Sequence, residues 1–441
     1  MKETVIQFGE GAFLRSFVDY FFHGLNEKGL YDGKVVVVQP IEQGLIPVLN
    51  EQNGEYHQFL RGIKDGQPVE EMTKITVISR GVDPYKDYQE YLKLAHNPDA
   101  RVIVSNTTEA GIVYLGTEKL DDAPPKSFPA KLTALLYERF KAGLPGFIIL
   151  SCELIDKNGD VLKECVLKYC DLWQLGDEFK NFIMNENHFC STLVDRICTG
   201  YPRDDIEAFT AKIGKVDNLV NTAEIFHLWV IEGNFEDELP FQKAGFNVVW
   251  TDDVTPYKKR KVRILNGGHT SMVLAAHLYG LETVGECVAD PVVGKFLHKT
   301  LFDEIIPTLG NSEVDIQFGK DVVERFANPF VKHRLLSIAL NSVSKFTARV
   351  LPTIIEYYEQ NKKLPACLTF SLAALIAFYR TDAANDLPEI MEYMKTASVA
   401  DILAKEEYWG QDLSFMNDTV LAYYNSIQND GMAKAYEAVL A

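Results

Sequence analysis

The chain has few of the residues that hold small secreted proteins or zinc modules together. It carries seven cysteines among 441 residues, and no two of them are spaced as Cys-x-x-Cys. An odd count without such a pair argues against a disulfide framework or a zinc site, so we expect buried, reduced thiols. We therefore predict a cytoplasmic protein with no metal centre.

Long apolar runs and positive charge are also scarce. The longest apolar stretch, near residues 371–379, is too short to cross a bilayer, and the opening MKETVIQFGEGAF contains no apolar signal run. Lys and Arg number 44 against 62 Asp and Glu, which gives a net charge of −18. Because an acidic surface repels phosphate backbones and anionic lipid, we expect neither a nucleic-acid nor a membrane partner.

The first half of the chain alternates strand and helix patterns. The runs KVVVV, RVIVS, FIILS and finally FNVVW are typical of strands buried on both faces of a parallel sheet, with helical patterns between them. Asp65-Gly66 between two extended segments predicts a hairpin, which would be an antiparallel insertion. After residue 252 apolar residues recur at spacings of three and four. We therefore predict an α/β domain at residues 1–252 and an all-helical domain at residues 253–441.

A glycine turn directly follows the first predicted strand. Gly9-Glu10-Gly11 opens a helix there, and such a turn lets backbone N–H groups approach a pyrophosphate. The third glycine of the usual fingerprint is missing, since Leu14 stands in its place. Arg15 would add a cation for a phosphate or would be a solvated helix residue. An ordinary strand-to-helix turn is the alternative interpretation.

Two further loops are predicted to complete a nucleotide site. The second strand ends at Gln39, where enzymes selective for NAD often have an acidic residue, and Glu42 lies just beyond. No arginine cluster for a 2′-phosphate is near, which favours NAD. SNTTEAG follows another parallel strand, and its polar groups suit a ribose or nicotinamide, with a polar turn as the alternative. The predicted cofactor-binding residues are Gly9, Gly11, Ala12, Phe13, Arg15, Gln39, Asn106, Thr107 and Thr108.

The stretch KVRILNGGHTSMV, residues 261–273, concentrates polar groups near the start of the helical domain. At about 100° per residue, Lys261, Asn266 and His269 fall near 0°, 140° and 80°, on one broad helix face. Hydride transfer to a ketone leaves an alkoxide, to which a lysine can donate a proton while a neutral N–H donor stabilises the oxygen. A partly exposed polar helix face is the alternative. The double glycine at 267 and 268 would let a backbone or ligand come close.

These residues resemble the mannitol dehydrogenase family, the polyol-specific long-chain dehydrogenases. The similarity spans FGEGAFLRSF, SCELIDKNGD, STLVDRICTGYPRDD, DDVTPYKKRKVRILNGGH and RFANPFVKHRLLSIALNSVSKFTARVLP. Several strings resemble one hexuronate-specific member more than the mannitol or fructuronate members. The resemblance implies a Rossmann-type domain, a helical C-terminal domain, NAD(H), no metal and a carboxylated keto sugar as substrate.

The resemblance also implies a role for each matching position. Lys261 would be the general acid/base, Asn266 would bind the oxyanion and His269 would contact the substrate. The substrate would further meet Asp195 and Lys345. Mannitol dehydrogenases have an asparagine where this chain has Leu154, so Glu153 or Asn158 would replace it, or a donor from elsewhere. They also have histidine where this chain has Leu14.

A carboxylated substrate needs a basic pocket in this acidic chain. Lys345 and Arg349, four residues apart and so on one helix face, are the predicted pocket residues. Lys332 and Arg334 are better interpreted as helix-surface charge, with His333 between them. The alternatives to a hexuronate reductase of this kind are a fructuronate enzyme and a catalytically silent NAD-binding sensor. The sequence leaves the oligomeric state open.

Overall fold

The computed structural model describes residues 1–64, 66–108 and 110–441. The chain divides into two compact units. The first comprises Met1–Arg61 and Val69–Thr255, and the second Gly62–Pro68 and Pro256–Ala441. The domain boundary predicted between residues 252 and 253 stays a prediction. No helix within the described ranges has the length and apolarity that crossing a bilayer requires.

The first unit is built on a parallel sheet whose strands have both faces buried. The strands in chain order are β1 (Lys2–Phe8), β2 (Gly33–Val38), β3 (Tyr56–Lys64), β4 (Gln67–Ile75), β5 (Ile78–Val82), β6 (Val102–Ser105), β7 (Ile148–Ser151), β8 (His188–Cys190), β9 (Thr192–Asp195), β10 (Cys198–Gly200), β11 (Asn221–Glu224), β12 (Leu228–Glu232) and β13 (Val248–Thr251). The main sheet has the order β5-β2-β1-β6-β7-β8, and its neighbouring strands pair in parallel.

Alternate residues of one strand enter two apolar clusters on opposite faces of this sheet. Val35 packs with Phe21 and Trp229, whereas Val36 packs with Leu132. Burial on both faces explains the continuous apolar runs. The helices that border these strands in sequence are α1 (Ala12–Ser16), α2 (Val18–Glu27), α3 (Ile46–Glu51), α4 (Tyr88–Lys93), α5 (Phe128–Lys141), α6 (Asn158–Leu172), α7 (Asp177–Asn185) and α8 (Ile206–Ile213), with 3₁₀ turns at Leu94–His96 and Arg203–Asp205.

The strand order creates a crevice beside β1. From β1 the chain builds outward through β2 and β5, then returns to the other side of β1 and continues through β6, β7 and β8. Ligands of open α/β sheets bind outside the carboxyl ends of strands at such a reversal. The predicted fold class, a Rossmann-type parallel sheet followed by helices, is confirmed.

Two details of the sheet differ from the sequence prediction. The FNVVW strand, β13, is not part of the main sheet but pairs with β12 in a separate sheet that also contains β9. Strands β3 and β4 are neighbours in another sheet, with β10 and β11. Asp65 of the predicted hairpin turn lies outside the described residues. The short strands β8 to β12 were missed because three to five residues carry too little periodicity to stand out.

The second unit is helical through residues 256–441, apart from an isolated bridge between Thr283 and Arg334. Its α18 is buried almost all round, which explains the apolar stretch near residues 371–379. The helices are α9 (Thr255–Lys261), α10 (Gly267–Tyr279), α11 (Val284–Ala289), α12 (Pro291–Lys299), α13 (Ile306–Thr308), α14 (Glu313–Phe326), α15 (Leu335–Ile338), α16 (Ser342–Arg349), α17 (Leu351–Asn361), α18 (Ala366–Phe378), α19 (Pro388–Thr396), α20 (Val399–Leu403), α21 (Glu406–Trp409), α22 (Asn417–Asp430) and α23 (Met432–Leu440), with π-helical segments at Val262–Asn266 and Thr300–Ile305 and a 3₁₀ turn at Ser414–Met416.

Candidate active site

The glycine turn of the first unit leaves space for a ligand. Gly9 has φ +119°, and a side chain there would bring a Cβ within 3.1 Å of the Asn106 carbonyl oxygen. Gly11 is the N-cap of α1, and a Cβ on it would meet nothing within 4 Å. Leu14, at the position of the missing third glycine, is buried, and its Cδ1 would lie 3.1 Å from a Cβ on Gly9. The turn is therefore packed from below by Leu14 and open above Gly11.

A pocket of about 490 Å³ lies at this turn, beyond the carboxyl ends of β1, β2 and β6. Four large apolar residues on its wall are exposed: Ile41 at 62%, Leu45 at 38%, Val113 at 41% and Leu115 at 41%. Apolar side chains beside an open backbone turn fit the flat base and the phosphates of a dinucleotide. The pocket is lined by Gly9, Glu10, Gly11, Pro40, Ile41, Leu45, Asn106, Thr107, Thr108, Ala110, Gly111, Val113, Leu115, Lys126, Ser127 and Phe128.

Other predicted cofactor residues lie outside that wall, as far as the described residues go. Ala12 offers its carbonyl to the Ser16 hydroxyl, and the Phe13 ring stacks on Phe17 with centroids 4.8 Å apart. Gln39 is 1% exposed, and its amide nitrogen donates to the Glu42 carbonyl at 3.1 Å. The roles predicted for these three residues stay predictions.

Arg15 is not the solvated residue that one interpretation gave. It is 3% exposed, and it donates to the carbonyls of Glu10 at 3.0 Å and Leu219 at 2.6 Å. Its guanidinium also stacks over the Tyr56 ring, 5.1 Å from the centroid. The helix predicted to follow the glycine turn is interrupted at Phe17, between α1 and α2. Arg15 therefore holds the glycine turn to its neighbours, which explains why a cation stands here without facing solvent.

The Asn158 side-chain amide makes four hydrogen bonds to groups of the protein, and its replacement of the family asparagine stays a prediction. Its amide nitrogen donates to the carbonyls of Glu153 at 2.9 Å and Thr192 at 3.1 Å. Its amide oxygen accepts from the backbone N–H groups of Thr192 and Gly159. Three of these bonds hold the start of α6 to the loop after β7 and to β9, and the fourth, from Gly159, lies within α6 itself.

Glu153 is a buried carboxyl that contacts a loop lining the pocket at the glycine turn. Its Oε1 accepts from the backbone N–H of Thr107 at 3.0 Å and from the Thr107 hydroxyl at 3.1 Å. Burial raises its pKa, against those hydrogen bonds. Glu153 thus positions a loop that lines the pocket. Leu154 beside it is 64% exposed, and Asp195 is a buried residue at the end of β9.

In the second unit, the stretch that carries Lys261 is not a regular α-helix. Helix α9 ends at Lys261, the next five residues are π-helical, and α10 begins at Gly267. A π-helix bonds residues five apart, so Lys261 and Asn266 lie in successive turns rather than at the 140° predicted for α-helical pitch. Such segments are frequent at functional sites because they redirect side chains. Lys261 and Asn266 are both partly buried.

The two glycines after this segment allow close packing. A Cβ on Gly267 would lie 3.0 Å from the Arg349 carbonyl oxygen at the end of α16, and one on Gly268 would lie 3.1 Å from Leu301. Both neighbours belong to the protein, so the double glycine brings α16 against the start of α10. This contact sets the Arg349 backbone beside the polar stretch.

His269 stands in a group of cationic and aromatic side chains. Its ring stacks on Phe326 with centroids 3.9 Å apart and meets His333 edge-on at 5.2 Å. Burial, helped by the charges of Arg325 and Arg349, holds the pKa of His269 well below its usual value. Its Nε2 has no hydrogen-bond partner among the described residues. A neutral ring can donate from one nitrogen and accept at the other.

The predicted carboxylate-binding residues lie on α16 beside this group. Arg349 donates to the Thr270 hydroxyl at 3.5 Å, and the Lys345 ammonium donates to the Ile338 carbonyl at 2.8 Å. Burial lowers the pKa of both, and the nearby Arg349 charge lowers that of Lys345 further. Sequence reasoning missed Arg325 and Phe326, although both stand in the RFANPF string that carried the resemblance. Their place in that string was the only sequence feature that could have identified them, because their side-chain chemistry alone indicates no role.

A glycine turn at the reversal point of a parallel sheet, followed along the chain by a helical unit, is an architecture that dehydrogenases use, and the relatives of this chain assign it to the dehydrogenases that act on CH–OH groups. The model of the mannitol dehydrogenase Rossmann domain matches residues 3–243, and that of the mannitol dehydrogenase C-terminal domain matches residues 253–429. The chain belongs to the mannitol dehydrogenase family, as its motifs predicted.

Curated relatives and solved structures agree with that assignment. The chain is 46% identical to an altronate oxidoreductase of Phocaeicola vulgatus, over 99% of this chain and 97% of that protein. It is 44% identical to an altronate oxidoreductase of Bacillus subtilis, over 99% and 95%. A substrate-free D-sorbitol dehydrogenase structure shares the fold with a TM-score of 0.86 at 22% identity, over 99% of this chain and 95% of that one. Pseudomonas fluorescens mannitol 2-dehydrogenase, solved with NAD and D-mannitol, gives 0.73 at 21% identity, over 100% and 94%.

Proposed function

We propose that the protein interconverts D-tagaturonate and D-altronate, reducing the ketone of the keto acid with NADH. The observation that carries the proposal is the identity of 44–46% to altronate oxidoreductases, which extends over 99% of this chain and at least 95% of theirs. Identity of that extent covers the sheet, the glycine turn and the helical unit alike. The basic group on α16 supports a substrate with a carboxylate.

Lys261 would supply the proton in the reduction and recover it in the oxidation. NADH, when bound, supplies the hydride to the carbonyl carbon, and negative charge then develops on the carbonyl oxygen. An ammonium donates a proton to that oxygen most effectively from a partly desolvated position, and Lys261 is partly buried. Asn266 ends the π-helical segment that follows Lys261, and its amide N–H would stabilise the oxygen.

His269, Arg349 and Lys345 would orient the rest of the substrate. Neutral His269 offers one donor and one acceptor to a hydroxyl, and its Nε2 has no partner among the described residues. Two cations four residues apart on α16 would hold the carboxylate. Burial lowers the pKa of both, and the Arg349 charge lowers that of Lys345 further, so a carboxylate between them would offset the repulsion that Lys345 experiences.

The cofactor would bind at the glycine turn, with its base against the apolar wall and its phosphates at the backbone of Gly11. Asn106, Thr107 and Thr108 would face the ribose or nicotinamide, with Thr107 positioned by Glu153. The pocket wall contains one cationic side chain among the described residues, Lys126. This favours NAD over a cofactor with an additional phosphate.

The test follows NADH absorbance with D-tagaturonate, D-fructuronate and D-fructose in parallel, and repeats the active case with NADPH. We expect turnover with tagaturonate and little with the other two. Preference for fructuronate would assign the epimeric reaction to this enzyme. Binding of NADH without oxidation of any of the three sugars would support a cofactor sensor instead.

A further inference from the structure

Glu10, the middle residue of the glycine turn, is a buried carboxyl whose hydrogen bonds are incomplete. It is 7% exposed and lines the cofactor pocket. Its Oε1 accepts from the backbone N–H of Leu45 at 3.2 Å, while its Oε2 has no hydrogen-bond partner among the described residues. Burial raises the pKa of this carboxyl. A buried acceptor without a donor lowers the stability of the fold. We therefore ask whether a bound ligand supplies the donor.

A second incomplete acceptor lies beside the first. Gln39 is buried at the end of β2, and its amide oxygen also lacks a partner in the described part of the chain. A Cβ on Gly44 would stand 2.0 Å from Glu10 Oε1 and 2.6 Å from the Gln39 amide oxygen. Both side chains therefore lie against the backbone of Gly44, and a side chain at that position would displace them. Residues 41–45, which include Gly44, are all exposed.

A ribose diol supplies the missing donors. The adenosine ribose of a dinucleotide lies at the end of the second strand of a Rossmann-type unit, where an acidic residue commonly accepts from its 2′-hydroxyl. Here the end of β2 carries the neutral Gln39, and the nearby acid comes from the glycine turn itself. Two vicinal O–H groups match two neighbouring acceptor oxygens. A 2′-phosphate would instead bring negative charge and additional acceptors to the same place.

We propose that Glu10, with Gln39, accepts from the adenosine ribose hydroxyls and makes the enzyme select NAD over NADP. The inference rests on the proposed function, in which a nicotinamide dinucleotide binds at the glycine turn. Glu42, the other acid near the end of β2, has no part in it. Glu42 is exposed, and its contact with Gln39 is through its backbone carbonyl.

The experiment measures dissociation constants of NADH and NADPH by nicotinamide fluorescence, without turnover. Wild type, Glu10→Gln and the matched control Glu42→Gln are compared. We expect wild type to bind NADH more tightly than NADPH. Glu10→Gln should lower the ratio of the NADPH to the NADH dissociation constant by about tenfold or more, because a charge-assisted acceptor is lost. Glu42→Gln is expected to retain the wild-type preference. An unchanged preference in Glu10→Gln, or a loss of preference in Glu42→Gln, overturns the assignment.

A ligand variant tests the same contact in unaltered protein, in case Glu10→Gln does not fold. Wild type is titrated with NADH and with its analogue lacking the adenosine 2′-hydroxyl. We expect the analogue to bind about tenfold more weakly, and equal affinities would contradict the inference. Wild type that binds neither NADH nor NADPH would overturn the proposed function itself. NADH binding with no dependence on Glu10 would overturn only the selectivity role.

Discussion

The polar side chains predicted to bind ligands behave differently in the two units. In the first unit Arg15 and Asn158 are buried, and their hydrogen bonds go to backbone groups of the protein. In the second unit, as far as the described residues go, His269 retains a nitrogen without a partner, and Arg349 makes one long side-chain hydrogen bond, to Thr270. A polar residue near a motif can therefore build the site or bind the ligand, and its existing hydrogen bonds distinguish the two.

The strongest test of this comparison is Lys261→Ala. If the second unit holds the residues that perform the chemistry, turnover should fall about 10²–10⁴-fold, since that is the usual contribution of general acid–base catalysis. The dissociation constant of NADH should not change, because the pocket proposed for the cofactor belongs to the first unit. The measurements are kcat at saturating substrate and NADH fluorescence titration.

Lys259→Ala is the matched control, because Lys259 lies on the same helix, is exposed and pairs with Glu356 at 3.1 Å. It should keep near-wild-type turnover. Comparable turnover in both variants would remove Lys261 from the proton-transfer role.

Next in size is the effect expected of Arg349→Met on substrate affinity. Loss of a charge-assisted bond to the carboxylate should raise KM for the hexuronate about 10–100-fold and affect kcat less. Met retains an unbranched apolar side chain without the charge, and the Arg349 carbonyl that packs on Gly267 is preserved. The exposed Lys332→Met is the control and should leave KM unchanged. An equal rise in both would point to general electrostatic attraction rather than a pocket.

The sequence predicted the architecture of the sheet better than its chemistry. Continuous apolar runs identified β2, β6 and β7 because strands buried on both faces have to be apolar throughout. The Gly-x-Gly motif also located the glycine turn. It did not predict that Arg15 is buried, because its hydrogen-bond partner Leu219 is 204 positions away along the chain. Likewise no periodicity marked the π-helical turn after Lys261, because one additional residue in a turn leaves the apolar spacing almost unaltered. Hydrogen bonds between distant segments are therefore what sequence reasoning could not supply.

Asn158→Ala tests whether this polar side chain of the first unit stabilises the fold rather than binding the substrate. Because the four bonds of this amide hold backbone groups, its loss should lower the free energy of unfolding by about 1–3 kcal/mol and leave KM for the hexuronate unaltered. Denaturant unfolding and initial rates measure the two effects. Asn361→Ala is the control, since Asn361 is exposed and its side-chain amide donates to the Tyr357 carbonyl of its own helix. A rise in KM without loss of stability would instead support the predicted role of Asn158 in substrate binding.

Asp19, like Glu10, departs from this comparison, since it is a buried acid of the first unit whose Oδ1 has no partner in the described part of the chain. Burial raises its pKa to about 7, although Gln7, Arg15 and Tyr56 act to lower it. At a pH between this value and the ordinary aspartate pKa near 3.8, Asp19 of the folded protein keeps a proton. The unfolded chain, with that ordinary pKa, has released the proton.

This difference makes folding stability fall as the pH rises through 7. Between about pH 6 and pH 8 the Asp19 contribution should decrease by about 1 kcal/mol. Asp19→Asn carries no titrating group, so its unfolding free energy should fall less over the same interval, and the difference from wild type isolates Asp19 from the histidines. Denaturant unfolding at the two pH values measures it. Parallel pH dependences in the two proteins would mean that Asp19 is ionised in the folded state, and that its burial is compensated by contacts with Arg15 and Tyr56.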